Sequence, residues 1–270
     1  MLSEPLAAPL AAPFTVGVSL KMYFGHAQTL AWAGAVADIA RRHPAVTGGV
    51  VDLFVAPSTA ALAPVGALLA GTGVRLAAQN AFWEDAGAFT GETSPAELAE
   101  LGCSLVELGH AERRRHFGET DTVVSRKVRA AIRNGLAPLL CLGENDRSTD
   151  AASEVIAQLD AALADSGDLV GPIVVAYEPV WAIGAAEPAP VEHVVAVVRA
   201  LEERLALDPA RAGSRVIYGG SAAPGLLTAF DGAVRGLFLG RFAHDPAAVE
   251  LVLDEALALA GTPAPQEVLS

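Results

Sequence analysis

The stretch Ile173-Val174-Val175-Ala176-Tyr177-Glu178-Pro179 reads as a short buried strand that ends on a carboxylate and a turn. A continuous apolar, β-branched run suits a strand covered on its faces, and proline then stops it because it has no amide proton to donate. The pattern recurs on both sides. Thr15–Ser19, Val50–Val55, Arg75–Gln79, Ser104–Leu108, Ala137–Cys141, Arg215–Tyr218 and Arg235–Leu239 complete a set of eight with Ile173–Tyr177. Amphipathic stretches lie between them, among them Thr29–Arg42, Ser94–Leu101, Thr122–Asn134, Ala151–Ala164 and Val191–Leu205. Strands alternating with helices imply a parallel sheet covered by those helices. Eight such units in 270 residues predict one α/β domain, a (β/α)8 barrel, with a doubly wound open sheet as the alternative on periodicity alone.

Local signals support the helix boundaries. Thr93-Ser94-Pro95 places a hydroxyl cap ahead of a first-turn proline, and Gly135 follows Asn134 where a helix should stop. Met1–Pro13 has no basic segment of the kind that opens a signal peptide, so it reads as a loose leader, and the Pro-containing residues 262–270 read as a fraying tail.

Apolar residues make up 52% of the chain, enough for a large core, yet no apolar run reaches the ~20 residues of a membrane span. Cys103 and Cys141 are the only thiols, which suits a reducing, cytoplasmic setting rather than a disulfide scaffold. Eighteen basic and 31 acidic side chains give a net charge of −13, which disfavours nucleic acid as a partner. An anionic substrate would therefore need a local device that opposes the overall field.

In a barrel of this kind, chemistry sits where strands run into the following loops. Reading only those positions gives Lys21 after the first strand, His110 after the fourth and Glu178 after the sixth. Gly219-Gly220-Ser221 and Gly240 follow the last two. A carboxylate base, an imidazole electrophile and a fixed cation are what a carbonyl shift along a sugar requires, because the reaction passes through an enediolate. Taken singly, each has an ordinary reading: a structural histidine, a solvated glutamate, a surface lysine. The glycine loops would let backbone amides approach a phosphate, although Gly-Gly-Ser is equally a flexible turn. Gly184-Ala185-Ala186, close after Glu178, reads as a lid, since an enediolate beside a phosphate eliminates it unless water is excluded. The six histidines show no metal-ligand spacing, so neither a metal nor another cofactor is expected.

Several blocks carry a family resemblance: Ala78-Gln79-Asn80, residues 87–92 (Gly87-Ala88-Phe89-Thr90-Gly91-Glu92), Leu108-Gly109-His110-Ala111-Glu112-Arg113-Arg114, Phe117-Gly118-Glu119, Cys141-Leu142-Gly143-Glu144, residues 176–184, and Tyr218-Gly219-Gly220-Ser221. In this order they resemble the triosephosphate isomerase family from about Val16 to Leu257. The resemblance implies a single-domain TIM barrel, no cofactor, and Lys21, His110 and Glu178 as the catalytic set. It implies Gly184, Ser221 and the Gly240 region as phosphate ligands, and a homodimer in which the 87–92 loop buttresses the partner's lysine loop. It also implies interconversion of dihydroxyacetone phosphate and glyceraldehyde 3-phosphate, as in glycolysis and gluconeogenesis.

The departures from the family pattern gather around one end of the site. Ser19 stands where asparagine is usual beside the lysine, and Ala111 where a serine usually follows the histidine. The lid reads Gly184-Ala185-Ala186-Glu187-Pro188 in place of Gly-Thr-Gly-Lys, which stiffens its C-terminal hinge. Arg241 replaces a second glycine after Gly240, where a guanidinium could grip phosphate bidentately or point to solvent. Ser19 and Arg241 therefore join the candidate substrate-binding residues. This pattern suits an ordinary triose-phosphate enzyme or, alternatively, an isomerase of a phosphorylated tetrulose such as erythrulose phosphate. A non-catalytic sugar-phosphate-binding barrel is the third reading.

Overall fold

The computed structural model describes residues 11–147 and 149–261. Eight parallel strands close into a barrel in sequence order: β1 (Phe14–Ser19), β2 (Val51–Ala56), β3 (Arg75–Ala78), β4 (Cys103–Leu108), β5 (Ala137–Leu142), β6 (Val174–Tyr177), β7 (Arg215–Tyr218) and β8 (Gly236–Leu239). The closure is made by β1 against β8, with Val16 opposite Leu237. The open-sheet alternative is excluded.

Alternation along the strands sorts the apolar residues into two cores. Phe54, Ala56, Ala77, Leu105, Leu139, Cys141, Val174, Ala176, Ile217 and Phe238 fill the barrel interior. Their strand neighbours face outward and pack under the helices, with Val16, Leu53, Val106, Leu140, Val175 and Tyr218 among them. The main helices of that outer layer are α1 (His26–Arg42), α3 (Leu62–Leu69), α6 (Asp121–Arg133), α7 (Ala151–Leu163), α8 (Val191–Ala206) and α10 (Pro246–Gly261). Shorter helices complete it: α2 (Pro44–Thr47), α4 (Pro95–Glu100), α5 (Ala111–Phe117) and α9 (Leu226–Ala229). Among the described residues, no helix is long and apolar enough to cross a membrane.

The boundary signals behave as their chemistry requires. The Ser94 hydroxyl accepts the amides of Ala96 (3.1 Å) and Glu97 (3.3 Å) at the start of α4. At the end of α6, Gly135 takes a left-handed φ of 78°, a conformation that glycine adopts without a Cβ penalty. Residues 1–10 of the expected leader and the expected tail lie outside the described residues. Ala12, the leader's penultimate residue, is buried, and its amide donates to Asp52 Oδ2 (2.9 Å).

Candidate active site

The carboxyl ends of the strands open onto a cavity of about 1150 Å³ lined by Lys21, Cys141, Glu178, Gly184, Ser221 and Arg241, among others. Lys21 follows β1 in a left-handed conformation, φ 46°, which costs a side-chain-bearing residue about 1–2 kcal/mol. Gln79, one residue past β3, holds that turn by donating to the Lys21 and Ala56 carbonyls at 3.0 and 2.9 Å. The ammonium reaches Glu112 Oε1 at 2.7 Å. Burial works against its charge, but Glu112, Glu178 and Glu107 outweigh this and hold its pKa above the ordinary lysine value.

His110 caps α5. Its Nδ1 accepts the Glu112 amide (3.1 Å), so this nitrogen carries a lone pair, and the proton of the neutral ring sits on Nε2. Burial first, and Lys21 second, push its pKa down to about 4, so the ring is neutral at pH 7. Its Nε2 lies 3.4 Å from Glu178 Oε2.

Glu178 extends β6 by one residue and is 6% exposed. Two glycines make room for it. A Cβ on Gly143 would stand 1.9 Å from the Glu178 carbonyl oxygen, and one on Gly219 would stand 2.6 Å from Glu178 Cγ. Desolvation, reinforced by the neighbouring Glu107 charge, pushes the Glu178 carboxyl up to about 8. Its Oε2 has no hydrogen-bond partner among the described residues. Ala111, at the start of α5, offers no hydroxyl that could hold it.

Glu107 is the side chain that the sequence pattern hid. It lies inside an apolar strand, where a single charged letter breaks no periodicity, and the alternation on β4 turns it into the barrel with Leu105. Its position opposite Leu139 on β5 sets it among interior residues. Ser19 Oγ donates to its Oε2 at 3.0 Å, while Oε1 stands 3.9 Å from His110 Nε2. Burial pushes this carboxyl up to about 7. Ser19, Glu107 and His110 lie just behind the residues that line the cavity, and the Ser19 hydroxyl is committed to Glu107.

The remaining candidates gather on the β6–β8 side. Gly184, Ser221, Gly240 and Arg241 all line the cavity. The Ser221 hydroxyl is shared between the Ala182 (2.8 Å) and Ala185 (3.0 Å) carbonyls, which leaves only its amide for a ligand. Arg241 Nη2 would stand 3.5 Å from a Cβ on Gly184, so the guanidinium lies against the N-terminal end of the lid. The lid is pinned at both ends. Trp181 Nε1 donates to the buried Glu144 (2.9 Å), and the Ala189 amide donates to Tyr218 Oη (3.0 Å), while residues 184–188 between them are exposed. Lys21 and Arg114 at the mouth are paired with Glu112 and Asp121, while Arg115 and Arg241 add positive charge to the wall of an otherwise acidic molecule.

Comparisons with known proteins agree with this geometry. The family model for triosephosphate isomerase matches residues 14–256. The chain is 52% identical over 249 residues to an L-erythrulose-1-phosphate isomerase of Pectobacterium atrosepticum, covering 91% of this chain and 96% of the relative. It is 43% identical over 237 residues to the protein of the same name in Rhizobium etli, covering 84% and 86%. A triosephosphate isomerase of Prosthecochloris aestuarii is 46% identical over 179 residues, covering 64% and 71%. A closed eight-stranded barrel, a lysine, a histidine and a glutamate at one mouth, and a match spanning nearly the whole chain have one reading: the protein belongs to the triosephosphate isomerase family.

Proposed function

We propose that this chain isomerises L-erythrulose 1-phosphate by moving its carbonyl along the carbon chain, with the triose-phosphate reaction as a weaker activity of the same groups. The observation that carries the choice of sugar is the near full-length likeness to two L-erythrulose-1-phosphate isomerases, against a shorter match to the triose enzyme. Of the two sugars weighed from the sequence, the tetrulose phosphate is the better supported. Such a substrate takes the enzyme out of glycolysis and gluconeogenesis.

The geometry supports one mechanism. The phosphate sits against the amides around Ser221 and Gly240, with Arg241 and the Gly184 end of the lid closing over it. The C2 carbonyl then faces Lys21 and His110 Nε2–H. Glu178 takes the proton from C3, and its electron pair forms the C2–C3 enediolate, whose charge Lys21 stabilises. Neutral His110 passes the O3 proton to O2, and Glu178 returns its proton to C2. The carbonyl is now at C3, so a four-carbon substrate yields a second ketose where a triose yields an aldose. Lys21 and Glu178 line one cavity and His110 Nε2 lies 3.4 Å from Glu178 Oε2, which supports an enzyme over a passive binding barrel.

Two further parts of the reading rest on surface features. A homodimer through the 87–92 loop is supported by exposed Phe89, Met22 and Tyr23, apolar side chains on or beside the two loops it would join. A cytoplasmic location is supported by two free, buried thiols.

Steady-state kinetics on three- to five-carbon ketose and aldose phosphates tests the substrate. The expected result is the highest kcat/KM for L-erythrulose 1-phosphate. A tenfold preference for dihydroxyacetone phosphate would overturn it.

A further inference from the structure

The proposed reaction leaves one problem of shape unsolved. Relative to a triose phosphate, a tetrulose phosphate carries an extra hydroxymethyl group on the carbon that Glu178 deprotonates. That group needs a place, and its hydroxyl needs a partner once water is excluded.

The barrel's topology says where it points. The phosphate ligands lie at the ends of β7 and β8 and on the lid after β6, while His110 follows β4, which closure of eight strands sets across the barrel from β8. A sugar phosphate anchored at β8 with its carbonyl at His110 therefore extends its far end toward β4. The interior there is apolar, formed by Phe54, Ala56, Ala77, Leu105 and Leu139. The exception is Glu107. It is 4% exposed, one of its oxygens is held by Ser19, and the other is engaged by none of the hydrogen bonds of the described residues. That free oxygen is 3.9 Å from the His110 nitrogen that would hold a substrate oxygen, so a hydroxyl one carbon further on comes within its reach.

We propose that Glu107, oriented by Ser19, is the specificity residue of this site: its free oxygen Oε1 receives the terminal hydroxyl of a four-carbon substrate. The proposal rests on the tetrulose-phosphate reading above. A triose phosphate places only hydrogen at this point and leaves the carboxyl unsatisfied. The pair Ser19–Glu107 forms one unit, because the Ser19 hydroxyl holds one Glu107 oxygen at 3.0 Å and leaves the other for a ligand. A pocket built around a hydroxyl discriminates strongly against a ligand that lacks it, since a buried polar group is then left without a partner.

Glu107→Leu and the near-isosteric Glu107→Gln, with Ser19→Ala as a milder perturbation, would be assayed on L-erythrulose 1-phosphate and on dihydroxyacetone phosphate. For Glu107→Leu, kcat/KM on the tetrulose phosphate should fall about a hundredfold relative to that on the triose phosphate, mainly through KM. Glu107→Gln and Ser19→Ala should shift the ratio in the same direction by about tenfold. Circular dichroism and thermal melts check that each variant is folded, and the ratio of the two activities is the readout. An equal fall on both substrates would overturn the proposal by making Glu107 a support for His110, as would an unchanged ratio. A wild-type enzyme that turns over only the triose phosphate would remove both this proposal and the reading beneath it. Wild-type preference for the tetrulose phosphate combined with an unchanged ratio in the variants would remove this proposal alone.

Discussion

Tyr218 and Ala189 are joined by a 3.0 Å hydrogen bond in which the phenol accepts the amide, and this bond fastens the far end of the lid to β7. Tyr218→Phe keeps the ring in its packing against Phe230 and removes only the latch. One such bond is worth about 1 kcal/mol, so kcat/KM should drop about fivefold. Inorganic phosphate release, measured alongside isomerisation, should rise as a fraction of turnover because the enediolate is less well enclosed. An unchanged ratio of elimination to isomerisation would show that the latch does not govern closure.

Gly143→Ala tests whether the backbone under the base is as tight as it looks. The new Cβ would lie 1.9 Å from the Glu178 carbonyl, so the strand end must shift and carry the carboxylate with it. Misplacing a base by about 1 Å costs on the order of a hundredfold in rate, and kcat should fall by that factor. A variant with normal kcat would mean that β5 and β6 part without moving Glu178.

Glu178→Asp shortens the base by one methylene, and kcat should fall on the order of a hundredfold with KM little altered. In the wild type, activity should rise with pH up to about 8 as Glu178 ionises. Stability should respond in the opposite sense. The Glu178 carboxyl titrates near 4.5 in the unfolded chain and about 8 in the fold, so between these values the folded state binds more protons and loses stability as pH rises. Glu107, raised to about 7, acts in the same direction, whereas His110, lowered to about 4, opposes both below pH 6.5. Subtracting the stability of Glu178→Gln from that of the wild type isolates the glutamate, and this difference should shrink between about pH 4.5 and 8. A constant difference in denaturant melts would contradict a raised pKa.

Arg241→Gly should raise KM for any phosphorylated substrate about tenfold, with a smaller effect on kcat, since a charged hydrogen bond to phosphate is worth about 1.5–3 kcal/mol. Inhibition by inorganic phosphate should weaken in parallel. Unaltered phosphate inhibition would assign the guanidinium to solvent.

Much of this architecture is legible in the residues themselves, and the shortfalls have local causes. The strand expected to run through Gln79 stops at Ala78 because Gln79 turns to bind two carbonyls. Helix α3 escapes the amphipathic pattern because Pro64 and Gly66 lie within it. Lys21, His110 and Glu178 are readable because strand ends are privileged positions in a parallel barrel. Glu107 is not, since a hydrophobic pattern tells which strand is buried but not what a lone inward carboxyl finds there. The Ser221 hydroxyl binds lid carbonyls more than thirty residues away in sequence, a pairing that no local pattern encodes.

In the proposed binding mode the two ends of the substrate meet opposite walls of one closed ring, which would make the barrel a caliper. Its span is fixed by eight hydrogen-bonded strands and cannot be adjusted piecemeal. Sugar length must then be set by how far a single inward side chain on the far wall projects, so a family built on this frame can move from three carbons to four by trading residues at two interior positions, leaving the machinery for moving protons untouched.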